Sequence, residues 1–169
     1  MRLLILVAAA CLFFACAYPA ASRTTGALDA VLSADDWLNG APTQASVRGK
    51  VVLVDFYTFD CINCKHVQPN LRELYRAIPR SDLVILGVHS PETRFEKVRS
   101  QLIASMKDQG VVWPVAVDND FKIWNSYAIG AWPTQLIFDR SGRLRATIVG
   151  DSQDALIDGW VSRLVRARS

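Results

Sequence analysis

The chain has 169 residues, enough for one domain with a terminal extension, and 51% of them are apolar, so a core can form without metals or disulfide staples. Nineteen Lys and Arg against sixteen Asp and Glu leave a formal charge of +3, too mild and too scattered for a nucleic-acid binder. The sequence contains no repeat, low-complexity tract or basic run.

The first stretch, MRLLILVAAACLFFACAYPAAS, differs from the rest. Arg2 is a minimal basic region, Leu3 to Ala15 form an apolar run of signal-peptide length, and Ala15-Cys16-Ala17 fits a small-x-small cleavage pattern. Residues 1–17 are therefore expected to be an export signal, cleaved before Tyr18 or kept as a short membrane anchor. Lipidation of Cys16 is a third option, although Phe13 stands where a lipobox usually has Leu. Residues 18–35, rich in Ala, Ser and Thr, are expected to be a linker, and 36–169 the folded domain. Removing the leader discards Cys11 and Cys16 and leaves Cys61 and Cys64, too close together to restrain much chain. That pair reads as chemical rather than structural, in a periplasmic or other extracytoplasmic compartment where disulfide exchange is relevant.

VVLVDFY (Val51–Tyr57) is a continuous apolar, β-branched run, which predicts a buried central strand. Beyond the cysteines, Val67, Leu71, Leu74 and Ile78 recur at helical spacing. LVILGVH (Leu83–His89) predicts a second buried strand. ETRFEKVRSQLIASMKDQG predicts one amphipathic helix with Phe95, Val98, Leu102 and Met106 on its inner face, closing near Gly110. A short strand over Val115–Val117 and a short helix around Phe121–Tyr127 follow. TQLIFD and RLRATIVG alternate and are joined by Arg140-Ser141-Gly142, a hairpin signal. Asp151 to Val165 predicts a last helix with Leu156, Trp160 and Leu164 inward. The order βα, βα, βα, ββα gives an α/β class: a mixed central sheet flanked by helices, in a thioredoxin-like arrangement with a helical insertion before the C-terminal hairpin.

Cys61-Ile62-Asn63-Cys64 lies where the first strong strand gives way to a helix. A helix N-terminus offers free N–H groups and the positive end of the macrodipole, which favour a thiolate. Cys61 is then the exposed nucleophile and Cys64, one turn inside, the resolving thiol, with Lys65 adding a positive charge nearby. Asp55 is a carboxylate inside an apolar strand, expensive without a partner or a task. Strand alternation together with the thioredoxin-like arrangement is expected to place it beneath the pair near Cys64, where burial would raise its pKa and make it a proton acceptor; a hydrogen-bonded strand-end aspartate is the plainer alternative. Pro133 opens a segment that otherwise reads as a strand, where it would remove a ladder donor. Cis is the minority form at X-Pro bonds in general, and it is the thioredoxin-like arrangement that favours a cis Trp132–Pro133 bond beside the pair.

Rival chemistries can be weighed from the same residues. Covalent haem attachment needs Cys-x-x-Cys-His, and Lys65 occupies the histidine position. Zinc needs about four ligands, and only His66 and His89 are available, well separated. No metal or other cofactor is implied. His66 is expected on a helix surface and His89 in a structural role near the active edge. Thr58-x-x-Cys61 matches part of a peroxiredoxin pattern, with Val54 where that family has Pro. Copper delivery of the Sco type uses a longer cysteine spacing.

The segments DFYTFDCINCKHVQPNL, ILGVHSPETRFEK and WPVAVDNDFKIWNSYAIGAWPTQLIFDRSGRLR resemble the TlpA-like thioredoxin-fold proteins, and within them the DipZ-type subgroup. The resemblance covers about Val51 to Gly150. It implies Cys61 as nucleophile, Cys64 as resolver and Pro133 as a cis proline flanked by Trp132 and Thr134. Trp132, Thr134, Ile62 and Asn63 would then contact substrate, and Asp55 matches the buried acid position of thioredoxins. It further implies protein disulfides or dithiols as substrates and electrons from a separate membrane protein, such as a DsbD-like reductase. Tyr57 and Asp60 depart from the pattern; Asp60 places a negative charge beside Cys61. The implied function is an exported thiol–disulfide oxidoreductase acting as a reductant. A disulfide oxidase, a thiol peroxidase and a non-catalytic binding module are the alternatives.

Overall fold

Apolar, β-branched runs build the centre of a mixed sheet in the computed structural model, which describes residues 28–167. The expected leader, and residues 18–27 of the expected linker, lie outside the described residues. The strands are β1 (Trp37–Leu38), β2 (Val51–Tyr57), β3 (Leu83–His89), β4 (Val115–Val117), β5 (Thr134–Phe138) and β6 (Leu144–Val149), in spatial order β1-β4-β3-β2-β5-β6. β2 runs parallel to β3 and β3 parallel to β4, while β5 is antiparallel to β2, β6 to β5 and β1 to β4. The helices are α1 (Asp29–Leu32), α2 (Gln44–Val47), α3 (Ile62–Ala77), α4 (Arg99–Asp108), α5 (Lys122–Ser126) and α6 (Asp154–Arg166).

β2 is paired on both edges and covered on both faces, so every one of its residues is buried. Alternation sorts them. Val51, Leu53 and Tyr57 face a core shared with Leu71 and Leu74 of α3, Leu102 and Met106 of α4, and Ile157 and Val161 of α6. Val52, Val54 and Phe56 face the opposite core, with Val31 of α1, Val47 of α2 and Ile123 and Trp124 of α5. Asp55, at an odd position, therefore belongs to the α3 side.

Gly87 in β3 is the partner of Asp55 across the ladder. A Cβ there would sit 2.9 Å from Val115 Cγ2 and 3.1 Å from Tyr57 Cε1. Gly87→Ala is expected to cost about 1–3 kcal/mol by overpacking, read as a lower urea midpoint at unchanged slope. An unchanged midpoint would show that the sheet gives way there.

Four expectations are corrected. Residues 28–35 are not wholly linker: Val31 is fully buried in the second core and α1 contacts α5. The single helix expected from Glu92 is broken; a 3-10 turn over Phe95–Lys97 ends at Val98, which is extended, before α4 begins. Phe95 and Val98 are exposed as a result, and only Leu102 and Met106 keep the inner face. α6 starts at Asp154 rather than Asp151, and its inner face is Ile157, Val161 and Leu164, with Leu156 exposed. The hairpin forms where expected, with Gly142 at φ 77° donating to the Asp139 carbonyl and the Asp139 carboxylate accepting from the Ser141 and Arg143 amides.

Candidate active site

The end of β2 delivers the cysteine pair to the first turn of α3. Cys61 is the N-cap, extended at φ −67° and ψ 122°, and its Sγ accepts from the Cys64 N–H at 3.4 Å. Cys61 is partly exposed and Cys64 buried, and both are free thiols. Burial pushes the Cys64 thiol far up, and the nearby Asp55 and Cys61 charges push in the same direction. Ile62, 62% exposed, and Asn63, also exposed, lie between them at the surface. Lys65 Nζ meets Asp60 Oδ1 at 3.1 Å, so the acidic departure beside Cys61 carries its own counter-charge.

Asp55 is fully buried and held by two amides. Gln68 Nε2 donates to Oδ2 at 3.1 Å and Gln135 Nε2 to Oδ1 at 2.8 Å. Gln68 stands one turn beyond Cys64 on the inner face of α3, and Gln135 is the β5 residue paired with Asp55. Desolvation raises the Asp55 carboxyl from 3.8 to about 6, against the lowering pull of the two amides. The Oε1 atoms of both glutamines are buried without a partner.

The Trp132–Pro133 bond is cis. Trp132 is partly buried, donates from Nε1 to the Ser90 carbonyl at 2.9 Å, and packs its ring 4.3 Å from that of Trp124. Ser90 Oγ donates in turn to Asp118 Oδ2, and Asp118 accepts the Ile123 and Trp124 amides at the start of α5. Thr134 is buried, with its hydroxyl donated to the Ala131 carbonyl at 2.8 Å. Its side chain thus lies beneath the surface, with its hydroxyl spent within the chain.

His66 is exposed and meets Asp151 at 2.8 Å. His89 is buried, stacked on Phe59 and edge-on to Tyr57; burial lowers it to about 4, so it is neutral at pH 7. Sequence reasoning passed over Glu96, buried beside the turn that leads to Cys61, because the expected helix turns Phe95 and Val98 inward and leaves the charged residues between them to solvent. Among the described residues no three His, Cys, Asp or Glu side chains come together to hold a metal ion, and no helix is long and apolar enough to cross a membrane.

The sequence pattern of the Thioredoxin-like family matches residues 49–144, which spans β2 to the start of β6 and includes both cysteines. The chain belongs to the thioredoxin-like family. Its mixed six-stranded sheet with flanking helices is a thioredoxin-like fold, as expected, extended by β1 and the short helices α1 and α2. It is 34% identical over 133 residues to Protein DipZ of Mycobacterium tuberculosis, an alignment covering 76% of this chain and 19% of that protein. The chain thus spans about a fifth of the length of this relative. It is 25% identical over 130 residues to the thiol-disulfide oxidoreductase YkuV of Bacillus subtilis, covering 76% of this chain and 87% of the other. A thiol-disulfide isomerase from Corynebacterium glutamicum superposes with a TM-score of 0.73 at 26% identity, over 80% of this chain and 94% of the other. The second and third of these proteins carry the names of thiol–disulfide enzymes.

Proposed function

We propose that the protein is an exported thiol–disulfide oxidoreductase in which Cys61 is the nucleophile and Cys64 the resolving thiol. The observation that carries the reading is the asymmetry of the pair: a partly exposed sulfur at a helix N-cap, and a buried one on the face that holds Asp55. The Cys61 thiolate attacks a protein disulfide, one sulfur–sulfur bond forming as the other breaks, and the displaced substrate thiolate takes a proton. Asp55 accepts the Cys64 proton, and the Cys64 thiolate then attacks Cys61 Sγ. The mixed disulfide breaks, the second substrate thiol leaves, and two electrons have passed to the substrate. Trp132, Ile62 and Asn63 form the rim over which substrate lies, with the buried Pro133 behind Trp132.

Reduction of extracytoplasmic protein disulfides is the direction we favour, with electrons returned by a separate membrane reductase of the DsbD type. The buried negative charge of Glu96, which has no ion-pair partner among the described residues, supports that direction, since it opposes accumulation of thiolate in the dithiol form. The peroxidase alternative is disfavoured because the Thr58 hydroxyl is donated to Glu96 and is not offered to Cys61. A mere binding module has no use for a buried carboxylate set against a free thiol pair.

Insulin reduction driven by dithiothreitol tests the reading: wild-type turnover is expected to fall to the uncatalysed background in Cys61→Ser. Undiminished turnover in that variant would sink the mechanism. Equilibration with glutathione tests direction, with a potential near −270 mV expected of a reductant and one near −120 mV marking an oxidase.

A further inference from the structure

Glu96 is 2% exposed, although Phe95 and Lys97 on either side face solvent. Its Oε1 accepts from Thr58 Oγ1 at 2.5 Å and from the Asp60 N–H at 3.3 Å, while Oε2 accepts from the Thr93 N–H at 2.7 Å. Thr58 Oγ1 also lies 3.3 Å from Nε2 of the buried His89. Thr58 has one hydroxyl proton, and an ionised carboxylate can only accept, so that proton points at Glu96. The Thr58 oxygen must then accept from His89, which fixes the imidazole proton on Nε2. Burial would push the Glu96 carboxyl up, but the Thr58 hydroxyl and the Thr93 and Asp60 amides outweigh it and hold the group below its usual value. No ion pair among the described residues involves Glu96. The result is a buried negative charge, neutralised only by hydrogen bonds, joined to the backbone one residue before Cys61.

We propose that Glu96 is a positioning residue of the redox centre: through the Thr58 hydroxyl and the Asp60 amide it fixes the turn that delivers Cys61, and its charge keeps the Cys61–Cys64 couple on the reducing side. The proposal rests on the reading of that pair as the redox couple. A fixed negative charge disfavours the form that carries a thiolate, and the thiolate belongs to the dithiol state. The disulfide is favoured in comparison, and the dithiol becomes the better electron donor. Cysteine chemistry is thus tuned from β3 and the 3-10 turn, elements that carry none of the reacting atoms.

The test is the thiol–disulfide equilibrium of the full chain in glutathione mixtures, in which the protein disulfide and two glutathione thiols give the protein dithiol and one oxidised glutathione. Glu96→Gln keeps an oxygen for Thr58 and Asp60 and removes the charge; it is expected to move the equilibrium about tenfold toward the dithiol, ~30 mV more oxidising. Thr58→Val keeps the charge and removes one of its donors, and is expected to move the equilibrium about threefold the other way. A role confined to stability would lower the melting temperature of both variants and leave both potentials at the wild-type value, which would overturn the proposal. Should Glu96→Gln fail to fold, Thr58→Val decides: an unchanged potential, or a shift toward the dithiol, overturns it. A wild-type chain that forms no Cys61–Cys64 disulfide in any mixture overturns the redox reading itself, and the assignment of Glu96 with it.

Discussion

Asp55→Asn is expected to make the protein more stable by about 3 kcal/mol at pH 7 and, at the same time, to slow resolution of the mixed disulfide by ~10²–10⁴-fold. Burial raises this carboxyl from 3.8 to about 6, and that rise corresponds to ~3 kcal/mol between the two protonation states. The sign follows from which state holds the proton more tightly. Below about pH 4 the carboxyl is neutral in both the folded and the unfolded chain, and its burial carries no charge penalty. As pH rises through about 6 the folded chain must ionise a buried group, and stability is lost. Asn never ionises, and its amide can donate to the unpartnered Oε1 of Gln68 or Gln135. The gain should therefore be absent near pH 3.5 and complete by pH 7.5, measured as the difference between variant and wild-type urea midpoints across that range. A pH-independent difference would show that Asp55 does not titrate as its burial dictates. Faster or unchanged resolution would remove it from the mechanism.

Cys64→Ser is expected to stop turnover while leaving the first attack intact. Cys61 then forms a mixed disulfide that nothing resolves, and the substrate stays covalently attached. Mass spectrometry of the variant with a disulfide-bonded protein substrate should show a stoichiometric adduct that is stable until external thiol is added. The same adduct should be transient in the wild type and absent from Cys61→Ser. An adduct on Cys64 in Cys61→Ser, at the wild-type rate, would reverse the two roles. The burial of Cys64 and its strongly raised thiol pKa argue against that outcome, since a buried thiol is a poor first nucleophile.

What was legible in the sequence was whatever depends on short-range pattern. The run of β2, apolar but for Asp55, announced a strand covered on both faces, and the period of two placed Asp55 on the side of α3. The cysteine spacing put one sulfur at the cap and the other a turn inward. Other features depend on partners distant in sequence. Val98 fits a helical stripe, yet the backbone leaves the helix there because Glu96 is pulled inward to Thr58, Thr93 and Asp60. Thr134 looks like a residue at the rim, but its strand passes beneath the surface between β2 and β6. Residues 28–32 make a single turn, too short to show a period, and their burial comes from α5 almost a hundred residues later. Asp118 reads as one of several loop acids; only the folded chain shows it gathering Ser90 and the first amides of α5 behind Trp132.

The two glutamines that hold Asp55 have a consequence for catalysis. Each spends an N–H on the carboxylate and keeps an idle oxygen in the dry interior. A primary amide turned end for end exchanges giver for receiver without moving the backbone. The cradle can therefore hold the group with or without its hydrogen, giving to the carboxylate and receiving from the acid, while in the arrangement seen it favours the charged form. One amide rotation can thus accommodate the proton taken from Cys64 without a net loss of hydrogen bonds, and the acid is reset when that proton passes to the departing substrate thiolate.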